Sequence, residues 1–563
     1  MRIIGIDLGT TNSAAAWWDG EEARIIPNDR GFALTPSVVA FDSDGEVLVG
    51  ESARNQAIVN AENTVQGVKR QMGKRFTYEI AGRQYEPEEI ASYVLARIRR
   101  DAERFLGDTV RAAVITVPAH FTEAQRQATI RAGELAGFEV KRILNEPTAA
   151  ALSHASRISG NNRLLVYDLG GGTFDATCLL QEGRSFTVKS TVGDNHLGGV
   201  DFDDALLGQV LDVFESESGL AIREEPALVQ QLRELVERAK IELSSRDHTD
   251  VVLPFVGTGG KPVHLKWELT REILREFIDE KLKRTVKLTL SAVREAGFGV
   301  SGIDGLIVSG GSSRIPLVHT YLRRALGLSE VRMLNPDETV ALGAAVQAGM
   351  IERGEDTVRV TDVTARALGV ETEGGKFVPI VARNVAIPVR ENRLVTTVSD
   401  GQRAVEIHVL QGEKEYAEEN VSLGRFLLSG IRSAPRGEAR IEVGFAVDED
   451  GLVHVSARDV DTGSEKRIDL QQREPGDELH AGYEGEYADL RSLKTRVQMY
   501  YDAVRGSLES EFASEVEHFL KIADDVLENG DSVGVGETRV ALEALADELS
   551  AWLDAGEVRD AGA

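Results

Sequence analysis

Two short stretches hold the residues best suited to chemistry. "IIGIDLGTTNS" places Asp7, Gly9, Thr10 and Thr11 at the end of an apolar run. "LLVYDLGGGTFDA" repeats the arrangement with Asp168, Gly170, Gly171, Gly172, Thr173 and Asp175. Glycine lets backbone N–H groups approach an anion closely, and threonine hydroxyls add further donors. A carboxylate repels phosphate, yet it holds the waters of a hydrated Mg2+, an ion that sheds them reluctantly. Phosphate-facing glycines with carboxylates alongside therefore point to a metal–nucleotide site. One such turn reads equally well as a tight hairpin. Two in matched context suggest related lobes facing each other across a cleft.

Other phosphate and metal signatures fail on spacing. "GVKRQMGKR" has five residues between Gly67 and Gly73 rather than the P-loop's four, and Arg75 stands where a hydroxyl would reach the metal. No GxGxxG opens a helix after the first strand, as a dinucleotide fold requires. There is neither an HExxH nor a paired-cysteine zinc motif.

The elements that position these turns follow from the pattern. Up to about Gly354, buried-looking strands ("RIIGI", "AAVITV", "RLLVYDL", "GLIVSG") alternate with helical stretches ("TEAQRQATIRAGELAG", "ETVALGAAVQAGMIERG"). That alternation predicts an α/β region. From Thr364 to about Gln471 strand follows strand, and Asp450-Gly451 marks a hairpin. After "REPGDE", Leu490, Leu493, Val497, Tyr500, Val504 and Leu508 recur at helical spacing, as do Phe512, Val516, Phe519 and Ala523. Asn529-Gly530 should stop that second helix.

Length and charge bound the rest. A chain of 563 residues is too long for one core. A net charge of −28 argues against nucleic acid or an anionic membrane as partner. Cys178, the one cysteine, reads as a buried structural thiol. No stretch approaches the ~18 apolar residues of a membrane span, and the start lacks a secretion signal. A cytoplasmic protein is the expectation.

Nine blocks in order resemble the DnaK-type seventy-kilodalton heat-shock chaperone family. They are "IDLGTTNS", "GVKRQMGKRF", "VITVPAHF", "NEPTAAAL", "YDLGGGTFD", "GDNHLGGVDFD", "ERAKIELSS", "VSGGSSRIP" and "NPDETVALGAAVQAG". "EIHVLQGE", "SLGRF" and "APRGEARIEVGFAVDEDGLVHVSARD" resemble its substrate-binding domain. The resemblance implies a multidomain α/β, all-β and α chain. An actin-like two-lobed ATPase domain would span 1–354 and a linker 355–363. An antiparallel β-sandwich peptide-binding domain would span 364–475, and a short α-helical lid and tail 476–563. It further implies ATP/ADP with Mg2+, and K+ as a further ion. Asp7, Asp168 and Asp175 would lie around the metal, mostly through water. Gly9, Thr10, Thr11, Gly170, Gly171, Gly172 and Thr173 would meet phosphate. Lys69 would reach the γ-phosphate and Glu146 would position the attacking water, with Asp168 and Thr173 completing the catalytic set. Gly198, Gly199, Glu237, Lys240, Ser244, Gly310, Gly311, Ser312, Arg314 and Asp337 match nucleotide-lining positions.

The same resemblance implies a chaperone that binds extended apolar segments of unfolded client polypeptides, with a J-domain co-chaperone and a nucleotide exchange factor as partners. Val370, Thr372, Glu373, Val395, Val398, Val405 and Ile407 match the peptide cleft, and Pro118 and Arg126 the relay between domains. Four departures stand out. Arg359 and Thr361 interrupt a linker that is aliphatic in the family, which weakens the expectation that it docks. "ARALG" replaces a proline-containing start of the β domain. Glu373 replaces a Met that arches over bound peptide, which predicts a preference for Lys or Arg beside the apolar residue. His120 replaces a Tyr. A shortened lobe segment after "GKRF" and a short tail resemble the HscC-like bacterial branch. A small-molecule kinase or a filament protein of the actin-like fold is the competing reading, and the β module after residue 363 counts against both. A client-specialised paralogue with weakened coupling is the nearer alternative.

Overall fold

The computed structural model describes residues 2–154, 160–220, 222–256, 263–333, 335–354 and 358–469, with parts of 490–549. The chain forms two compact units. The first comprises Met1–Ala367, Ala382–Val389 and Val447–Leu452, and the second Leu368–Val381, Arg390–Ala446 and Val453–Ala563.

The first unit contains one topology twice. Arg2–Asp7 runs parallel to Val110–Val117 and antiparallel to Asn12–Trp18. Asn161–Leu169 runs parallel to Gly305–Ser309 and antiparallel to Phe174–Glu182. The two Asp-Leu-Gly echoes thus occupy equivalent places, each at the end of an interior strand with one parallel and one antiparallel neighbour. Both of these interior strands are apolar on both faces, as sheets covered on both sides require. Cys178 is buried in the second sheet, and burial pushes its thiol up to about 12, which makes it inert.

Two helices, Glu146–Ser153 and Thr339–Arg353, lie against both sheets. Their Ala149, Ala150, Val340, Ala344 and Ala348 share a core with Ile3, Val114, Leu164, Val166 and Ile307. Small residues allow the approach. A Cβ on Gly343 would lie 1.7 Å from the Ala149 carbonyl oxygen, and one on Gly5 2.2 Å from the Ala345 nitrogen.

The segment around "VRVTDV" joins the second sheet as an edge strand, Arg359–Thr361 pairing parallel with Ser185–Thr187. Docking here uses backbone hydrogen bonds, which Arg359 and Thr361 supply as well as any aliphatic residue. The next apolar side chain, Val363, is buried in the shared core.

The second unit holds two four-stranded sheets. One orders Lys376–Val381, Leu368–Thr372, Ala404–Gln411 and Val421–Ser429; the other orders Val389–Val395, Ile441–Val447, Val453–Asp459 and Glu465–Asp469. The predicted turn is present, with Gly451 at φ +77° and its N–H on the Asp448 carbonyl. The helix Ser510–Asn529 ends where expected. Leu490, Leu493, Val497 and Tyr501 share a core with Val516, Phe519 and Ala523. Tyr500 is only partly buried, so the stripe shifts by one residue there. Val504 and the boundary expected at 475–476 lie outside the described residues.

Gly343→Ala is expected to destabilise the first unit by at least about 1–3 kcal/mol through overpacking. Urea unfolding followed by tryptophan fluorescence reports it, because Trp18 packs against the same helix at Gly349. An unchanged midpoint would show that the helix can move aside without cost.

Candidate functional site

The two turns meet. A Cβ on Gly171 would lie 2.3 Å from Thr11 Oγ1, and one on Gly172 2.6 Å from Thr10 Oγ1. Glycine is therefore required for the second turn to reach the threonines of the first. In the first turn, a Cβ on Gly9 would lie 2.0 Å from the Asn12 carbonyl. The second turn is closed by Gly170 N–H donating to the Thr173 carbonyl (3.1 Å). Its own carbonyls accept from Gly199 N (3.0 Å), Val200 N (2.8 Å) and Ser312 Oγ (2.8 Å). The helix Gly199–Ser218 consequently begins against the turn, with Gly198 so close that a Cβ would sit 2.6 Å from the Gly171 backbone.

Further expected residues gather around this junction. Gly310, at φ +82°, lets the chain pass Asp168; a Cβ there would lie 2.7 Å from Asp168 Oδ1. A Cβ on Gly199 would lie 2.5 Å from Ser312 Oγ and 3.1 Å from Lys240 Nζ, and one on Gly311 3.0 Å from Asp337 Oδ1. Asp337 pairs with Arg314 at 2.5 Å. Glu237 pairs across the cleft with Arg54 at 3.3 Å. Ser244 makes a different contact, its carbonyl accepting from Arg271 at 3.5 Å.

The centre holds more carboxyl groups than cations. Lys69 is buried and donates to Glu146, which is buried too. Burial pushes the Glu146 carboxyl up to about 7, Lys69 opposing and Asp7 reinforcing the shift. Burial likewise raises Asp7, with Lys69 opposing, and raises Asp168 well above the usual range, with Glu146 and Asp175 adding to it. A desolvated set of oxygen donors with one ammonium is suited to a hard cation. Among the described residues no three His, Cys, Asp or Glu side chains form a direct ligand shell.

Three contacts at this site escaped sequence reasoning. Arg70 spans the cleft, donating to the Gly172 carbonyl (3.1 Å) and pairing with Asp201. Asp203 pairs with Lys240 at 2.6 Å, and burial raises its carboxyl to about 6. His120 Nδ1 lies 2.9 Å from Asp175 Oδ1, while Ala119 N–H donates to the other oxygen at 3.2 Å. Both oxygens of Asp175 are thus engaged by the segment that follows Pro118. The signals were weak: a second cation after Lys69, and alternate aspartates in "GGVDFDD".

Arg126 lies on the same segment's far side. It is buried, and burial lowers its pKa. It donates to the Ala119 carbonyl (3.2 Å) and to Asn145 Oδ1 (2.7 Å). Asn145 Nδ2 and Thr148 Oγ1 each donate to Asp362 at 2.8 Å, next to the docked strand Arg359–Thr361. Hydrogen bonds thus run unbroken from Asp175 to Asp362.

In the second unit the expected cleft residues divide. Val370 and Ile407 are buried, Val395 and Val405 are half-buried, and Val398 is exposed. Thr372 Oγ1 donates to the Lys376 carbonyl at 3.1 Å. The opposite face of the same strands is polar: His408 bridges Glu371 (2.6 Å) and Ser422 (2.8 Å), and Arg425 reaches Glu406 at 3.0 Å. Burial lowers the His408 pKa against the raising effect of Glu371. The apolar face is therefore the one that holds Val370, Val405 and Ile407. Glu373 lies on Arg436, a cation of its own chain.

Removing Lys69 leaves Glu146 buried without its cation. Lys69→Ala is expected to cost about 3 kcal/mol in nucleotide-free protein, and adding Glu146→Gln should restore most of it. Denaturant unfolding of the two variants checks this, and equal losses in both would refute the pair as the cause.

A family model described as Hsp70 protein matches residues 3–481, a span that includes both turns, the charge cluster and the β strands. Members of that family are ATPases that bind Mg-nucleotide and act as chaperones. On that match the chain belongs to the Hsp70 family.

Proposed function

We propose that the first unit binds and hydrolyses Mg-ATP and that nucleotide state controls how the second unit holds an extended apolar client segment. The observation that carries this reading is the junction of the two glycine turns beside a desolvated carboxylate cluster. Thr10, Thr11 and the amides of Gly171–Thr173 bind the phosphates, in a turn that Gly170 N–H closes on the Thr173 carbonyl. Asp7 and Asp168 would hold the waters of Mg2+, and Asp175 is fixed by hydrogen bonds from Ala119 and His120. The metal, when bound, neutralises phosphate charge and offsets the surplus of carboxylates. Glu237, Lys240, Arg314 and their neighbours line the nucleoside side.

Hydrolysis is attack of water on the γ-phosphorus, with the P–O bond to ADP breaking. The protein contributes position and charge rather than a covalent intermediate. Lys69, held in place by Glu146, presents its ammonium to charge that grows on the transferring phosphoryl group. Glu146 orients the attacking water, and Thr173 fixes the loop through its carbonyl while its hydroxyl faces the phosphates. The hydrogen bonds from Asp175 through Ala119, Arg126 and Asn145 to Asp362 offer a physical connection between phosphate and linker. An apolar pocket around Val370, Val395, Val405 and Ile407 would open for the client. Fully burying one Leu gives roughly 1.5–3 kcal/mol against about 8 kcal/mol for micromolar binding, so backbone pairing along a strand must supply much of the rest.

Thr173→Ala and Asp7→Asn are each expected to slow single-turnover ATP hydrolysis by about 100-fold or more, with circular dichroism of the β strands unchanged. Normal turnover in both variants would remove the two-turn clamp. Fluorescence anisotropy of an unfolded client peptide, titrated with ATP and then ADP, is expected to show tighter retention with ADP. No binding in either state would end the chaperone reading.

A further inference from the structure

The loops at one end of the second unit are joined unequally. Residues 432–438, between Val421–Ser429 and Ile441–Val447, are laced to residues 397–401 by several hydrogen bonds. Arg436 N–H donates to Asp400 Oδ1 (2.5 Å), Gly437 N to the Thr397 carbonyl (3.2 Å) and Gly401 N to the Ala434 carbonyl (2.9 Å). Ser433 Oγ adds a bond to the Gly401 carbonyl (3.4 Å). These contacts fix the backbone from which the Arg436 side chain projects.

The third loop, the turn after Leu368–Thr372, meets this pair through a side chain. Arg436 Nη2 lies 3.0 Å from both carboxylate oxygens of Glu373. Gly374 and Gly375 follow at φ +83° and +71°, and the far side of the turn is anchored by Ala417 N–H on the Gly375 carbonyl (2.9 Å). Both charged side chains are well exposed, 60% for Arg436 and 68% for Glu373. Val398, exposed in the 397–401 loop, is held by the same set of contacts. Glu373 thus stands one residue beyond the strand that carries Val370 and Thr372, and Arg436 stands on the loop that carries Val398.

We propose that Glu373 and Arg436 form an ionic clasp across the mouth of the apolar face, which opens to admit an extended client segment and closes over it. This rests on the peptide-binding reading and adds to it how the client is retained. An ion pair so exposed contributes little and is screened by salt. The clasp therefore closes weakly, and client release depends on ionic strength even when the client carries no charge. A basic residue on the client competes with Arg436 for Glu373, so the preference for Lys or Arg expected from Glu373 alone is offset by the clasp.

The test uses the full chain with ADP and a short end-blocked Leu/Val peptide carrying a neutral dye. Its dissociation is followed from about 25 to about 500 mM NaCl, over which the screening length falls from roughly 20 to roughly 4 Å. Wild-type release is expected to quicken about three- to fivefold across that range. Glu373→Ala and Arg436→Ala should each release fast and independently of salt, and the exchanged pair Glu373→Arg with Arg436→Glu should recover slow, salt-dependent release. Salt-independent wild-type release, or an exchanged pair no slower than the single variants, would overturn the clasp while leaving peptide binding intact. Failure of the wild type to hold the probe in any nucleotide state would remove the peptide-binding reading and the clasp with it.

Discussion

The surplus of buried carboxyl groups between the two turns is the constraint on which the first unit depends. Asp7, Glu146 and Asp168 are all desolvated, and Lys69 is the cation in their midst. Desolvation penalises each carboxylate, and one ammonium cannot satisfy them all. The arrangement is therefore an unfinished electrostatic structure, improved by a cation. On the proposed reading, ionised carboxylates here would repel a bare phosphate, so the anion and its metal would favour each other's binding. That is the physical sense in which a folded cleft is held short of its own stability optimum for the sake of a ligand.

Holding such a cluster requires sheets that do not drift. The strands that end at Asp7 and Asp168 pack against helices whose contact surfaces are rich in alanine and glycine. Gly343 against Ala149 and Gly5 against Ala345 bring backbones together at distances no larger residue allows. Close-packed contacts of this kind have few alternative arrangements. They place the ends of two separate sheets, and hence Asp7 and Asp168, at fixed positions. The glycines in the turns then allow the last approach of Gly171 and Gly172 to Thr11 and Thr10.

Much of this was legible because local sequence carries local geometry. The two Asp-Leu-Gly turns follow apolar runs, so their places at strand ends could be read directly, as could the hairpin at Asp450-Gly451. Partnerships between distant residues were not legible in the same way. Nothing local to Glu373 names Arg436, and nothing local to Asp175 names His120. The resemblance supplied the gathering of Lys69 and Glu146 at one site, but not their direct pairing. Burial was hidden as well: Val370 and Ile407 alternate like residues facing a groove, yet both are covered. The strand Arg359–Thr361 shows why composition alone says little about such pairing. An edge strand is recruited through its amides and carbonyls, and side chains that look unsuited to a core need not enter one.

The two ion pairs of greatest interest have opposite physical settings. Lys69 and Glu146 are sealed from water, where a charge left alone is costly and the pair is consequently persistent. Glu373 and Arg436 stand in solvent, where separation costs little because water solvates both ends. Persistence suits a group whose task is to be in place when charge develops on a phosphoryl group. Easy separation suits a contact that has to break each time a polypeptide enters or leaves. If the exposed pair were buried, its opening would carry the desolvation penalty that keeps the inner pair closed. On the proposed reading, solvent exposure at Glu373 and Arg436 is what would make that contact usable as a clasp, while burial at Lys69 and Glu146 would suit that pair to a catalytic centre.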